Sequence, residues 1–163
     1  MSDLRVAVLT CSDSCADGTA EDESGRAVID ACEERGWLVV AYHVCADEME
    51  CIGTSLLEMA DMERADIVLT LGGTGLGPRD ITPEATERII ERTVPGIAEA
   101  VREASRGTDS PCLMSRAIAG TRGQSLIINL PGGIAPTLAA FGRIAPHLSE
   151  AVGMMHQDDR DMT

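Results

Sequence analysis

Residues 72–80, GGTGLGPRD, combine the residue types that can hold a phosphate group beside a cation. Four of the six residues from 72 to 77 are glycine, so the backbone N–H groups there are unobstructed and can close on phosphate oxygens. Asp80 follows directly, and its carboxylate would repel a phosphate unless a cation lay between them. Magnesium, bound by one or two carboxylates and by substrate phosphates, fills that role. The stretch therefore predicts a magnesium-assisted phosphate site.

This glycine-rich stretch is not one of the common nucleotide motifs. The chain contains no lysine, which excludes a Walker A loop, and the glycine spacing does not fit G-x-G-x-x-G. Two structural interpretations stay open: a plain turn over 72–78, and an ion pair between Arg79 and Asp80. Asp13 could equally cap a turn in its own loop.

An alternation of strands and helices positions these residues. Apolar runs rich in β-branched residues predict strands, and amphipathic stretches between them predict helices. The predicted strands cover 4–10, 37–44 and 65–71, and the helices between them cover 26–35 and 47–63. Such an alternation is typical of a parallel sheet.

The second half of the chain adds helices and one hairpin. Thr82 is expected to cap a helix with Pro83 and Glu84 in its first turn. The further elements predicted are a helix from Pro95-Gly96 to about 105, a hairpin of strands 116–120 and 125–130 around Thr-Arg-Gly, and a closing helix over 135–156 with a kink at Pro146. The predicted fold class is α/β with three layers: a mostly parallel mixed sheet with one antiparallel strand and helices on both faces. We expect one domain over 1–156 and a disordered tail over 157–163.

Ligands of open parallel sheets bind beyond the carboxyl ends of the strands. Four loops lie at such ends: CSDS, CADE, GGTGLGPRD and LPGG. The CADE loop contains Asp47, whose carboxylate could be the N-cap of the second helix, in a capping box with Glu50.

Composition excludes several classes of function. The formal net charge is −14 and the 163 residues include only three aromatic residues, so the chain suits neither polyanion binding nor base stacking, and we expect no nucleic-acid partner. No apolar run is long enough to span a membrane. The six cysteines lack C-x-x-C spacing and are predicted to be reduced thiols in a cytoplasmic protein. The three histidines are expected to be structural or solvated.

The chain resembles the molybdopterin adenylyltransferases, the group that includes the G domains of plant Cnx1 and of gephyrin. GGTGLGPRDITPEAT, at 72–86, closely resembles the family signature GGTG-x-x-x-RD-x-TP-[DE]-AT. The likeness continues through SD after the first strand, an acidic loop ending in SG, MSR at 114–116 and GTRGQSLIINLPG at 120–132. It covers nearly the whole chain in the same order.

The resemblance implies an enzyme of molybdenum cofactor biosynthesis. Such an enzyme transfers AMP from ATP to the terminal phosphate of molybdopterin, with Mg²⁺, and releases pyrophosphate. The resemblance also implies a homotrimer and a downstream molybdate-insertion protein as a partner.

Residue roles carried over from the family fall into three groups. Asp47 and Asp80 would be the catalytic acids and the metal ligands. The nucleotide phosphates would be held by Gly72, Gly73, Thr74 and Gly75. The pterin and substrate side would be shaped by Ser12, Asp13, Ser115, Arg116, Asn129, Pro131 and Gly132.

The sequence departs from the family pattern at 133–141, GIAPTLAAF, where many members have a lysine- or serine-bearing stretch. Thr137 is the only residue there that could replace a hydroxyl contact. Two further functions therefore stay open: a non-catalytic molybdopterin-binding or scaffold protein of the same fold, and another enzyme of that fold, such as a nucleotide pyrophosphatase.

Overall fold

The computed structural model describes residues 3–107 and 112–157. In chain order its strands are β1 (Arg5–Cys11), β2 (Leu38–Cys45), β3 (Ile67–Leu71), β4 (Arg92–Thr93), β5 (Ala119–Arg122) and β6 (Ser125–Leu130). They form one sheet in the order β2-β1-β3-β6-β5-β4. The pairs β1–β2, β1–β3 and β3–β6 are parallel, whereas β5 is antiparallel to both of its neighbours. The prediction of a mostly parallel sheet with one antiparallel strand is confirmed.

Helices cover both faces of this sheet. They are α1 (Asp13–Ala16), α2 (Glu23–Glu34), α3 (Met49–Leu57), α4 (Thr82–Glu87), α5 (Pro95–Ala104) and α6 (Ile134–Met155), with a π-helical turn (Glu58–Met62) after α3 and a 3-10 turn (Cys112–Met114) before β5. Buried residues of α2, α5 and α6 share one apolar cluster, and those of α3 and α4 share another. The predicted three layers are therefore present.

The central strands explain why the two clusters form. Successive side chains of a strand point to opposite faces, and in β1 Val6 and Val8 join the first cluster whereas Ala7 and Leu9 join the second. Every residue of β3 and β6 is buried. A strand that is covered on both faces is expected to be predominantly apolar, and both strands are, apart from Thr70, Ser125 and Asn129.

Two of the three aromatic residues complete the first cluster. The rings of Trp37 and Phe141 meet edge to face with their centroids 5.8 Å apart. The guanidinium of Arg35 lies 5.7 Å from the centroid of each ring. The rest of the core is aliphatic, as the composition requires.

The structure corrects three local predictions. Glu48 is the N-cap of α3, and that helix end has no side-chain capping bond, so the capping-box interpretation of Asp47 is wrong. Thr82 is not a cap either: the N-cap of α4 is Ile81, and the Thr82 hydroxyl is buried without a hydrogen-bond partner. The first strand of the hairpin is β5, three residues later than predicted.

The proline positions agree with the predicted helices: Pro95 begins α5, and Pro146 lies inside α6. The kink expected at Pro146 stays a prediction. The two-residue strand β4 was not predicted. Of the expected tail over 157–163, all but residue 157 lies outside the described residues. No helix in the described part of the chain combines the length and the apolar character needed to cross a membrane.

Candidate active site

Two of the four predicted ligand loops, GGTGLGPRD and LPGG, line a cavity of about 250 Å³ at the carboxyl ends of β3 and β6. We call it the glycine-loop cavity. It is lined by Gly72, Gly73, Thr74, Gly75, Asp80, Val101, Ser105, Met114, Ser115, Pro131 and Gly132. Eight of these eleven residues are among the predicted site residues, and the roles predicted for Ser115, Pro131 and Gly132 came from the family resemblance.

A second cavity, of about 440 Å³, adjoins the first at the ends of β1 and β3. We call it the acidic cavity because three successive carboxylates line it. Its lining consists of Thr10, Cys11, Ser12, Cys15, Glu21, Asp22, Glu23, Ser24, Leu71, Gly72, Gly132, Gly133 and Ile134. Gly72 and Gly132 line both cavities. A Cβ on Gly132 would lie 3.6 Å from the Cα of Gly72, so two bare backbone segments form the shared wall.

The backbone enters the glycine loop in a conformation that favours glycine. Gly72 and Gly73 have φ of +88° and +69°. A Cβ on Gly72 would lie 2.7 Å from the Cys11 carbonyl oxygen, and one on Gly73 would meet the Thr82 hydroxyl. Gly75 has no positive φ, but a Cβ there would lie 3.0 Å from Asp80 Oδ2.

Asp13, Asp47 and Arg79 link the loops that follow β1, β2 and β3. The Asp13 N–H donates to Asp47 Oδ2 at 3.1 Å, and the Asp47 N–H donates to Asp13 Oδ1 at 3.0 Å. Arg79 donates to both Asp13 oxygens, at 2.7 and 2.9 Å. The hydrogen bond from Arg79 holds the pKa of Asp13 below its usual value. Arg79 is therefore paired with Asp13 and not with Asp80, which corrects the ion pair considered from the sequence.

The Asp47 carboxylate is only half satisfied. Its Oδ1 is buried and has no hydrogen-bond partner, a costly arrangement for a charged group. Burial raises the pKa of Asp47, and the charges of Asp13 and Asp80 act in the same direction. Asp80 lies at the other side of the glycine loop and accepts a 2.9 Å hydrogen bond from the Gly77 N–H.

The donor set fits a magnesium ion that shares its coordination with a substrate. Within residues 3–107 and 112–157, no three His, Cys, Asp or Glu side chains form a group that could hold a metal alone. Asp80 lines the glycine-loop cavity, whereas Asp47 lines neither cavity. The unpartnered Asp47 Oδ1 lies 3.2 Å from where a Cβ on Gly73 would stand, and it is a suitable oxygen ligand beside the glycine loop. Mg²⁺ commonly binds one or two carboxylates together with substrate phosphates.

Arg116 contacts the glycine loop from the β5 side. Its Nε donates to the Gly75 carbonyl at 2.8 Å and an Nη donates to the Asp80 carbonyl at 2.6 Å. The other Nη pairs with Glu84 Oε1. Burial acts to raise the pKa of Glu84, but the hydrogen bond and charge of Arg116 contribute to a net lowering.

Two predicted substrate contacts are turned inward instead. The Asn129 side chain is fully buried, donates to the hydroxyls of Thr70 and Thr86 at 2.9 Å, and accepts from the Ile118 N–H at 3.1 Å. The Asn129 amide is therefore hydrogen-bonded within the core and does not face a substrate. The buried Thr137 hydroxyl donates to the Pro131 carbonyl at 2.6 Å, so it fixes the LPGG loop and does not face either cavity.

The acidic cavity contains residues that the sequence interpretation did not single out. Thr10 is 5% exposed and its hydroxyl has no hydrogen-bond partner. Asp22 accepts from the Gly25 N–H at 3.0 Å as the N-cap of α2, and it also accepts from the Tyr42 hydroxyl. Burial and this contact raise the pKa of Tyr42. The spacing of Asp22 and Gly25 at a helix start was the available signal for the cap.

Comparisons with known proteins all point to molybdopterin-related proteins. Residues 7–150 match a family model described as a probable molybdopterin binding domain. The chain is 42% identical over 134 residues to a protein named molybdopterin adenylyltransferase from Helicobacter pylori, an alignment that covers 81% of this chain and 76% of the relative. It is 32% identical over 163 residues to a gephyrin from Dictyostelium discoideum, covering 93% of this chain but 22% of that protein. The crystal structure of the molybdopterin biosynthesis enzyme MoaB from Thermus thermophilus superposes with a TM-score of 0.87 at 38% identity, covering 93% of this chain and 96% of the other.

Proposed function

The chain belongs to the molybdopterin-binding domain family of molybdenum cofactor biosynthesis, and we propose that it transfers AMP from ATP to the terminal phosphate of molybdopterin, with release of pyrophosphate. The observation that carries this proposal is the pair of adjoining cavities that share Gly72 and Gly132 as a common wall. A reaction between two large substrates needs two neighbouring sites with a thin boundary where the reacting phosphates meet. Side chains would obstruct that boundary, and both positions lack them.

The chemistry requires little of the protein beyond alignment and charge neutralisation. The terminal phosphate of molybdopterin is itself the nucleophile, so no covalent enzyme intermediate is needed. Attack on the α-phosphorus of ATP is accelerated by holding the two phosphates in line. In this scheme the backbone N–H groups at Gly73–Gly75 hold the nucleotide phosphates, and the shared wall of Gly72 and Gly132 is where the molybdopterin phosphate meets them.

Asp47 and Asp80 would hold the magnesium ion, which when bound supplies positive charge to the nucleotide phosphates and to the leaving pyrophosphate. Neither arginine near the loop is free to supply that charge. Arg79 is paired with Asp13, and Arg116 with Glu84. Because the local protein charge is acidic, a cation is the simplest source of neutralisation at this site.

The test is a single incubation of the protein with molybdopterin, ATP and MgCl₂, followed by mass spectrometry of the pterin. We expect adenylylated molybdopterin and one equivalent of pyrophosphate. ATP cleavage that does not depend on molybdopterin would favour a nucleotide pyrophosphatase. Molybdopterin binding with no consumption of ATP would favour the non-catalytic scaffold protein, and both results would contradict the proposal.

A further inference from the structure

Arg116 contacts the carbonyl groups of three residues of the glycine loop. Its backbone N–H donates to the Thr74 carbonyl at 2.8 Å. Its guanidinium donates to the carbonyls of Gly75 and Asp80. All of these acceptors are backbone oxygens, and the remaining nitrogen contacts Glu84. An arginine in a phosphate site usually binds the anion directly, but here all three guanidinium nitrogens already contact protein oxygens.

These contacts fix the direction of the neighbouring N–H groups. The loop has no cis peptide bond, and in a planar trans peptide the N–H points opposite to the C=O. Since the carbonyls of Thr74 and Gly75 point toward Arg116, the N–H groups of Gly75 and Leu76 point away from it. In the described part of the chain, neither N–H donates to a protein acceptor.

Two adjacent N–H groups that point the same way form an anion-binding concavity. Gly75 lines the glycine-loop cavity, which is the cavity assigned above to the nucleotide phosphates. The Arg116 charge is balanced by Glu84, so the attraction of the site for an anion comes from backbone dipoles and not from the guanidinium.

We propose that Arg116 is a positioning residue that holds the carbonyls of the glycine loop, and thereby directs its N–H groups toward a polyphosphate. This inference rests on the proposed function for the identity of its ligand, and it differs from the family resemblance, which puts Arg116 on the pterin side. The expected consequence of losing Arg116 is a selective loss of polyphosphate binding with molybdopterin binding retained.

Arg116→Lys tests the proposal because a lysine keeps the charge but is a point donor that cannot bridge several fixed acceptors. The matched control is Arg122→Lys. Arg122 is equally half-buried, with 29% of its side chain exposed against 33% for Arg116. It also pairs with one carboxylate, Asp61, and one carbonyl, that of Ile89. It does not line either cavity.

Binding is measured by calorimetry with magnesium pyrophosphate, and separately by equilibrium dialysis with molybdopterin. We expect Arg116→Lys to weaken pyrophosphate binding at least about 10-fold, the scale of one lost hydrogen bond to a charged group, and to leave molybdopterin affinity unchanged. Arg122→Lys should retain both affinities even where its melting temperature falls. If the lysine variant does not fold, Arg116→Gln, which keeps one uncharged donor, should show the same selectivity.

Three outcomes would overturn the inference: a larger loss for molybdopterin than for pyrophosphate, an equal loss of pyrophosphate binding in the Arg122 control, or a wild-type protein that binds no magnesium pyrophosphate. A different result would contradict the proposed reaction. A wild-type protein that binds pyrophosphate but makes no adenylylated pterin would contradict the reaction, while the selectivity of the Arg116 variant would still support the inference.

Discussion

The two oxygens of the Asp47 carboxylate have different environments. Oδ2 accepts from the Asp13 N–H, whereas Oδ1 is buried without a partner. A purely structural aspartate would normally satisfy both oxygens or expose them to water. Asp47 does not cap α3, and an amide can keep its bond to Asp13, so removal of its charge should separate activity from folding.

Asp47→Asn should therefore slow turnover strongly without loss of stability. The amide oxygen can still accept from the Asp13 N–H, and the fold itself disfavours the charge that is removed. We expect formation of adenylylated pterin to slow at least about 100-fold, the scale of one lost electrostatic contact in a transition state, with a melting temperature at pH 7 no lower than that of wild type. Glu50→Gln, on the exposed side of the first turn of α3, is the control. Wild-type rates in the Asn variant would exclude a catalytic role.

Gly72 provides a second prediction at the residue scale, with Gly36 as its matched control. Both have a left-handed backbone, with φ of +88° and +77°, but a Cβ on Gly36 would meet no atom within 4 Å. Substitution by alanine costs about 1–2 kcal/mol of backbone strain at either position. Gly72→Ala adds a 2.7 Å contact with the Cys11 carbonyl.

Calorimetry should therefore show a larger drop in melting temperature for Gly72→Ala than for Gly36→Ala. Since Gly72 lines both cavities, this variant should also weaken ATP and molybdopterin together. Equal drops for the two variants would mean that the loop moves away from β1 at little cost. Unchanged binding would mean that the shared wall does not contact the substrates.

At the scale of elements, the sequence predicted those strands and helices whose apolar residues follow a regular local pattern. The runs that became β1 and β3 are predominantly apolar, which identified them as strands of a parallel sheet, whereas β6 was predicted as a strand of the hairpin. The loops after these strands were expected to lie on one edge of the sheet. No such pattern predicts β4. Its two residues, Arg92 and Thr93, are both exposed, and they form a strand because the folded chain brings them beside β5.

The hydrogen-bond partners of the two site arginines could not be predicted from the sequence for the same reason. Arg79 is separated from Asp13 by 66 positions and Arg116 from Gly75 by 41. Adjacent charges suggested a pair between Arg79 and Asp80, but the loop turns them apart. Residue types and loop location could be predicted, whereas the choice of partner depends on how three loops meet in space.

An ion pair anchors the β5–β6 hairpin to the π-helical turn and gives an element-scale prediction. Arg122 donates to both oxygens of Asp61, at 3.0 and 2.9 Å, and this hydrogen bonding lowers the pKa of Asp61 in the folded state. A carboxyl whose folded pKa is depressed stabilises the fold above its unfolded pKa, near about 3.9. That contribution is lost as the pH falls through the folded pKa.

Asp61→Asn should accordingly lower the melting temperature at pH 7 by about 1–3 °C, as expected for an exposed pair in a chain of this size. Near pH 3 the difference from wild type should shrink toward zero. Asp30→Asn, on the exposed face of α2, corrects for the general effect of removing one negative charge. A difference that is as large at pH 3 as at pH 7 would show that the pair contributes through packing and not through charge.

At the scale of the whole molecule, the charge of −14 on 163 residues without lysine affects every association of the chain. Like-charged copies repel one another, and salt screens that repulsion: the screening length falls from about 30 Å at 0.01 M to about 8 Å at 0.15 M ionic strength. The homotrimer that the family resemblance implies must form against this repulsion. Its stability should therefore rise with salt, unlike that of complexes held by opposite charges.

We expect light scattering at micromolar concentration and 150 mM NaCl to give three times the chain mass of 17.2 kDa. On dilution, the trimer should dissociate at a higher protein concentration in 10 mM NaCl than in 150 mM NaCl, because unscreened repulsion between the acidic surfaces opposes assembly. KCl at equal ionic strength is the control and should act alike, since the effect depends on screening and not on a bound sodium ion. A stable monomer in both salts would contradict the trimer. A trimer that weakens as salt is added would mean that its interface is held by ion pairs, and that the acidic surface lies away from the contact.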